Sequence, residues 1–497
     1  MNREFLVNVI FLVLVNLLIK PFYVFGIERS IQDRVGAETY GLYATLFSFS
    51  YLFFIINDFG LQQFNNRTIA RHPALLGKYF PRMLAVKLML GFVYLGVVFA
   101  AAWLRGFDSG VYYLLFFIAL NHLLISLVAF LRSNISGVGR YRTDSALSAL
   151  DKLLLSIICG VLLWGLPGRP EFRIEWFVHA QNASWLITAL VALLIIRSIL
   201  KNPIRLKPRL LFGWSVMKSA APYALAIFLM TAYTRLDMVI LEWMLPDGRH
   251  ETGIYAAAYR LLDAFNVVGL LFAGLLLPMY ARLLRQREKE ELHQSPTKAA
   301  TELSSLVKLA LQLIWVGTIP LALACFFFRE ELMLWLYPRT ATPYYGTVLA
   351  AVILSLIPFS GTFIVSTLLT ANDSLKRMNW LFTIGIALNI LLNVLLIPHY
   401  KAVGAGVATL FTQSLVFVAH VWLTRKILHL PRPEGGWQVL HALLFGLAVG
   451  AVCYGFHQWD GPHWLLRFVL AGATGLLLAF PFGMLKLKRI VGFLRGF

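Results

Sequence analysis

Apolar residues in this sequence come in blocks of about twenty, the length of helix that crosses a hydrocarbon core of about 30 Å. Fourteen such blocks are legible: 5–25, 39–60, 82–104, 111–131, 146–166, 176–196, 217–241, 253–279, 304–328, 346–370, 378–397, 403–423, 438–457 and 464–485. They leave only short tails and loops, none long enough to bury a core of its own. Of the 497 residues, 59% are hydrophobic and 14% charged, whereas a soluble domain carries about a quarter charged residues. The expected fold is all-α: a polytopic membrane protein with 14 transmembrane helices and no extramembrane domain. The longest connection, 282–303, is charged and reads as a short surface helix followed by a linker. The first block carries Asn16 and Lys20 and lacks a small-residue cleavage site. It reads as an uncleaved span rather than a signal peptide. Cys159, Cys325 and Cys453 lie in apolar blocks at unrelated spacings and read as small core residues, neither disulfides nor metal ligands.

A formal charge of +20 points to nucleic acid only when it covers a soluble face. No such face exists here, so no nucleic-acid partner is expected. Sorted by alternate loops, 28 of the 44 Lys and Arg residues fall on one side and 9 on the other, the rest lying inside the blocks. Short loops rich in Lys and Arg stay cytoplasmic. The bias therefore predicts a multi-pass protein of a bacterial cytoplasmic (inner) membrane with both termini cytoplasmic, its basic side facing anionic membrane lipids.

The chain also resembles itself. Tyr40-Gly41-Leu42-Tyr43-Ala44 opens the second block and Thr252-Gly253-Ile254-Tyr255-Ala256 opens the eighth, 212 residues later. Ile69-Ala70-Arg71 and Tyr280-Ala281-Arg282 follow at an offset of 211, and Arg197-Ser198-Ile199-Leu200 and Arg425-Lys426-Ile427-Leu428 at 228. These matches divide the chain into two pseudo-symmetric six-helix lobes, an N-lobe over 1–200 and a C-lobe over 201–430. Parallel repeats related by an axis along the membrane normal are a transporter architecture. Residues 431–497 then add two C-terminal helices and a cytoplasmic tail, serving either as a groove for a lipid tail or as padding for the second lobe.

Ionisable groups inside a membrane are costly and face a cavity or a partner. Depth separates those found here. Lys87, Lys152 and Lys308 lie within about two turns of the cytoplasmic face and can snorkel to it. Lys20, Arg235 and Arg260 lie in the outer half of the core, on the first, seventh and eighth blocks. Arg260 can pair with Asp263 three residues on, and Arg235 with a carboxylate of another helix, since Asp237 points to a different face. The other reading is a cavity whose three cations select an anionic cargo. Phosphate suits it, bound by Arg through a planar fork and by Lys as a point charge. Asp58, Asp237 and Asp263 are candidates for a coupling ion or an inter-lobe contact, and Asp58, beside Gly60, also suits a helix end. Tyr23, Tyr233, Tyr259 and Asn266 are candidate sugar contacts, although Tyr at span ends also belongs to the interfacial belt.

The stretches GLYATLFSFSYLFFIINDFGLQQFNNRTIAR, YTRLDMVILEWML and ETGIYAAAYRLLDAFNVVGLLFAGLLLPMYARLL resemble the polysaccharide transporter branch (Wzx-type O-antigen flippases) of the multidrug/oligosaccharidyl-lipid/polysaccharide exporter superfamily. The resemblance covers nearly the whole chain. It implies two six-helix lobes around a central cavity with alternating access. It also implies export of undecaprenyl-pyrophosphate-linked oligosaccharide from the cytoplasmic to the periplasmic leaflet, for O-antigen, capsule or exopolysaccharide synthesis. The implied partners are that lipid-linked oligosaccharide, membrane lipids, and a polymerase and glycosyltransferases of the same pathway. The implied drive is H+ or Na+ coupling, or the membrane potential. A MATE-like cation-coupled exporter of small molecules would want more acids in its cavity, and a lipid II flippase is a closer sibling whose cargo is also a pyrophosphate lipid. An enzyme acting on such lipids would carry catalytic acids or His on a long outer loop. The outer loops are short, and no phosphate-cradling Gly-rich loop, metal cluster or nucleophile arrangement appears. No catalysis and no cofactor are expected.

Overall fold

Hydrocarbon offers no water to satisfy backbone N–H and C=O groups, so a chain this apolar must close its hydrogen bonds within each segment. It does so with helices: the structure, a computed structural model, is almost wholly α-helical, with no strand among the described residues. Those are residues 19, 22–62, 65, 69, 75–165, 171–200, 210–292, 298–428 and 437–485. Nine helices among them are long and apolar enough to cross a membrane. Large apolar side chains such as Phe92, Trp103, Leu104 and Leu447 stand more than 70% exposed, a surface that suits lipid.

The chain divides into two compact units, Met1–Gly253 and Ile254–Phe497. In the first, a π-helical stretch (Phe22–Glu28) leads into α1 (Arg29–Leu52), interrupted at Gly36, whose φ is 82°. The segment 26–38, expected as an outer loop, is thus helical up to that glycine. A break at Phe53 separates α1 from α2 (Phe54–Asp58), and Phe59 and Gly60 then take left-handed φ values of 46° and 70°. A side chain at Gly60 would also press on the Ala220 carbonyl, 2.8 Å from its Cβ. There follow α3 (Leu76–Arg105), α4 (Val111–Gly137), α5 (Tyr141–Gly160), α6 (Ile174–Leu200), α7 (Leu210–Met244) and the first turn of α8 (Gly248–Leu292). Helix α4 packs on α6, α1 on α7, and α2 on α3. Phe80, Met83, Phe130, Leu131 and Ile196 form a buried core among them, the Phe80 and Phe130 rings stacked at 6.0 Å.

The second unit holds the rest of α8 with α9 (Lys298–Phe327), α10 (Arg329–Leu336), α11 (Pro343–Ile353), α12 (Leu356–Ala371), α13 (Leu375–Leu428), α14 (Trp437–Gln458) and α15 (Trp464–Leu477). Helix α8 runs without interruption to Leu292 and takes up half of the charged connection. Helix α13 contains two of the expected spans. Pro398 and Lys401 (φ 51°) break it, and a Cβ at Gly404 would lie 2.6 Å from the Leu396 carbonyl. Eight residues of straight helix would separate those positions by about 12 Å, so the chain reverses there. The expected span 464–485 is corrected: α15 stops at Leu477 and turns continue to Gly483. Pro481 donates no backbone bond and disfavours helix in the residue before it. Helices α14 and α15 pack on each other and on α9, around Val316, Phe328, Phe445, Val449 and Ala471. All three cysteines are buried and free.

Candidate functional site

The first unit contains a buried polar ladder that begins where α2 ends. A helix end frees backbone carbonyls that need donors, and here Lys87 of α3 supplies them. Its Nζ donates to the Asn57 carbonyl at 2.6 Å and to Asn57 Oδ1 at 3.4 Å, and also to Ser126 Oγ. Asp58 Oδ1 lies 3.6 Å away and accepts from the Ser126 hydroxyl at 3.4 Å. Lys87 and Asp58 are both buried, 2% and 5% exposed. The expectation that Lys87 snorkels to the cytoplasmic face is corrected by this geometry. A carboxylate and a helix end lie within reach of the ammonium, so it is stabilised in place.

One turn along α4, the ladder continues. Asn57 Nδ2 donates to the His122 carbonyl at 3.0 Å, and His122 Nδ1 lies 3.0 Å from Ser50 Oγ. Ser50 Oγ is in turn 2.5 Å from the Tyr94 hydroxyl. The rings of Phe47, Tyr51 and Phe54 surround the imidazole, with centroids 4.4, 5.0 and 6.3 Å away. Arg235 is half-buried on α7. Asp237 is buried on the same helix.

The two glycines of the internal duplication face each other within this unit. A Cβ at Gly41 would collide with the Arg249 carbonyl, and one at Gly253 with the Ala37 carbonyl. Gln32 Nε2 completes the crossing with a 2.8 Å bond to the Gly253 carbonyl. Beside it, Glu242 accepts from Arg105 at 3.2 Å and lies 3.9 Å from Arg249, which is 3.8 Å from Asp108.

In the second unit, Arg260 is 9% exposed and its Nη1 donates to the Tyr337 hydroxyl at 3.1 Å. Tyr337 closes α10, and its ring lies 6.2 Å from that of Tyr345. Tyr259, fully buried, packs against Tyr255, whose hydroxyl bonds Thr409 Oγ1 at 3.1 Å. Spacings of three and four put Tyr259, Asp263 and Asn266 on one face of α8, with Arg260 alongside. Asn266 Oδ1 is buried with no hydrogen-bond partner among the described residues.

Of the candidates read from sequence, Lys20 lies outside the described residues, as does the side chain of Tyr233. Tyr23 is buried in the first unit, with the Lys152 ammonium 4.7 Å above its ring. Lys152 also lies 3.4 Å from Asp151. The structure groups Asp58 with Lys87, and Arg260 with Tyr337, and sets Arg235 and Arg260 in different units. Sequence reasoning missed the partners Lys87, Ser126, His122 and Tyr337. The polar pair Asn57-Asp58 next to Phe59-Gly60 was the one local signal of a broken helix needing a donor. At its far end α8 carries a further basic feature: Arg282, Arg285 and Lys289 line an open pocket of about 550 Å³.

The sequence profile of the polysaccharide biosynthesis protein family matches residues 5–284, more than half of the chain. The chain belongs to that family. Solved structures share this family member's fold at low identity. It is similar to the lipid II flippase MurJ in an inward closed conformation, at 15% identity and a TM-score of 0.68, over 97% of this chain and 100% of that one. A multidrug resistance MATE family transporter of the MOP superfamily, inward-facing, matches at 14% identity and a TM-score of 0.61, over 84% and 98% of the two chains. A MOP superfamily transporter from Pyrococcus furiosus Vc1, described as having a binding pocket of reversed polarity, matches at 12% identity and a TM-score of 0.60, over 85% and 95%. No curated protein sequence matches the chain. The polysaccharide biosynthesis family member thus has the fold of MOP superfamily membrane transporters.

Proposed function

We propose that the protein is a flippase that carries undecaprenyl-pyrophosphate-linked oligosaccharide from the cytoplasmic to the periplasmic leaflet for cell-surface polysaccharide assembly. The observation that carries this reading is Arg260, a guanidinium nine-tenths buried on an apolar helix of a polysaccharide biosynthesis family member. A buried cation inside a membrane protein is costly, and a planar five-donor fork is the side chain best matched to a pyrophosphate. Lys20 and Arg235 complete the proposed anion-binding set. Tyr259 and Asn266, both buried here, are proposed to meet the sugar rings in a state that exposes them. The two lobes alternate access to the site while the polyprenyl tail stays in lipid, and no covalent bond changes. Asp237 and Asp263 are the proposed coupling acids, with a proton or sodium gradient as the drive.

The test is complementation of a strain that lacks the gene and has lost surface polymer. Lys20→Ala, Arg235→Ala and Arg260→Ala should each abolish polymer export at normal protein level, and full complementation by all three would overturn the site. The fold likeness to MurJ over nearly the whole chain favours a second reading, lipid II as cargo. Rescue of a strain depleted of its lipid II flippase, without restored polymer in the first strain, would establish that reading instead. Drug hypersensitivity of the deletion strain would point to a small-molecule exporter.

A further inference from the structure

The ammonium of Lys87 has the surroundings of a bound ion rather than of an ordinary side chain. Four oxygens converge on it: the Asn57 carbonyl at 2.6 Å, Asn57 Oδ1 at 3.4 Å, Asp58 Oδ1 at 3.6 Å and Ser126 Oγ. Two of them exist because the helix breaks. α2 ends at Asp58, and Phe59 and Gly60 turn left-handed, so the Asn57 carbonyl and the Asp58 carboxylate project from a free helix end. Discontinuous membrane helices use such unwound carbonyls and half-helix C-termini to coordinate monovalent ions. One carboxylate with three neutral oxygens gives the set a single negative charge, which one monovalent cation balances. An ammonium group and a potassium ion are of similar size, so the same oxygens fit either.

We propose that Asn57, Asp58 and Ser126 form a monovalent-cation site built into the first unit, and that Lys87 keeps it filled with its own ammonium. The protein carries a tethered cation where a diffusible one would otherwise bind. Free sodium or potassium then has no access to this site in the native chain. This assignment is independent of the cargo proposed above, and its test requires no transport.

The experiment uses the full-length purified protein in detergent and follows thermal unfolding in potassium, ammonium or sodium chloride against N-methyl-D-glucamine chloride of equal strength. Lys87→Met keeps the apolar stem and removes the charge. The wild type should unfold at the same temperature in every salt. Lys87→Met should be destabilised in N-methyl-D-glucamine and recover by several degrees in potassium or ammonium, as expected for an ion that binds only the folded state. Adding Asp58→Asn to Lys87→Met should restore stability and abolish the dependence on the cation. A Lys87→Met protein indifferent to cation overturns the proposal. So does a wild type that shifts as much as the variant. If Lys87→Met cannot be recovered in any salt while the double variant can, the pair is only an ion pair and the proposal fails. If neither variant can be recovered, these oxygens accept no replacement for Lys87 and the proposal fails as well.

Discussion

Two buried cations, Lys87 in the first unit and Arg260 in the second, show how differently the same cost can be met. Lys87 has three N–H donors, and the oxygens of Asn57, Asp58 and Ser126 converge on them. Arg260 has five donors in a planar fork, held in an uninterrupted helix and set against the phenol hydroxyl of Tyr337. The ammonium repairs a broken helix end and belongs to the architecture. The guanidinium sits on a regular helix that needs no repair, and the proposed function gives it an anion to hold. On the proposed function, Lys87 is a charge that stabilises the fold and Arg260 one that serves the cargo.

The largest effect expected from breaking it lies at the first cation. Asp58→Ala strands a buried ammonium, which costs about 3–5 kcal/mol. Folded protein recovered from membranes should fall sharply, and its thermal midpoint with it. Arg260→Ala comes next, on a different readout. Loss of charge-assisted bonds to the cargo, about 1.5–3 kcal/mol, should cut export at least ten- to hundred-fold, to background in the complementation assay, while membrane protein stays at its normal level. If Arg260→Ala instead depletes the protein as Asp58→Ala does, the two cations are alike and the distinction fails. Gly41→Val tests the helix crossing of the first unit. A side chain forced against the Arg249 carbonyl should cost about 1–3 kcal/mol, visible as a lower unfolding midpoint. The smallest effect belongs to Arg105→Ala. Its bond to Glu242 is partly exposed, with the Arg105 side chain 33% accessible, and such pairs contribute about 1 kcal/mol or less. A midpoint shift as large as that of Asp58→Ala would show that this rim is a second structural centre.

The spans were legible in the sequence because lipid imposes one length and one composition on each. From the second block onward the expected spans coincide with described helical segments, nine of which are long and apolar enough to cross a membrane, and the last is shortened by Pro481. Gly41 and Gly253, singled out by the sequence repeat, have a physical reason: at their crossing backbone lies against backbone. Hydropathy did not reveal partners. Lys87 is the sixth residue of its apolar block, and depth alone suggested snorkelling. Its true environment depends on Asn57, thirty residues earlier in the chain, near the end of a helix beside it. Tyr337, near Arg260 in space, is separated from it by α9 and α10. Tertiary proximity of this kind leaves no trace in periodicity or local charge.

The central claim is that the protein moves a pyrophosphate-linked lipid using Arg260. The most direct measurement reconstitutes the purified chain in liposomes whose inner leaflet carries a fluorescent polyprenyl-pyrophosphoryl oligosaccharide, and follows quenching of the label as it reaches the outer leaflet. The wild type should expose the label far faster than protein-free liposomes, and Arg260→Ala should not. Equal rates for wild type, Arg260→Ala and empty liposomes would contradict the account.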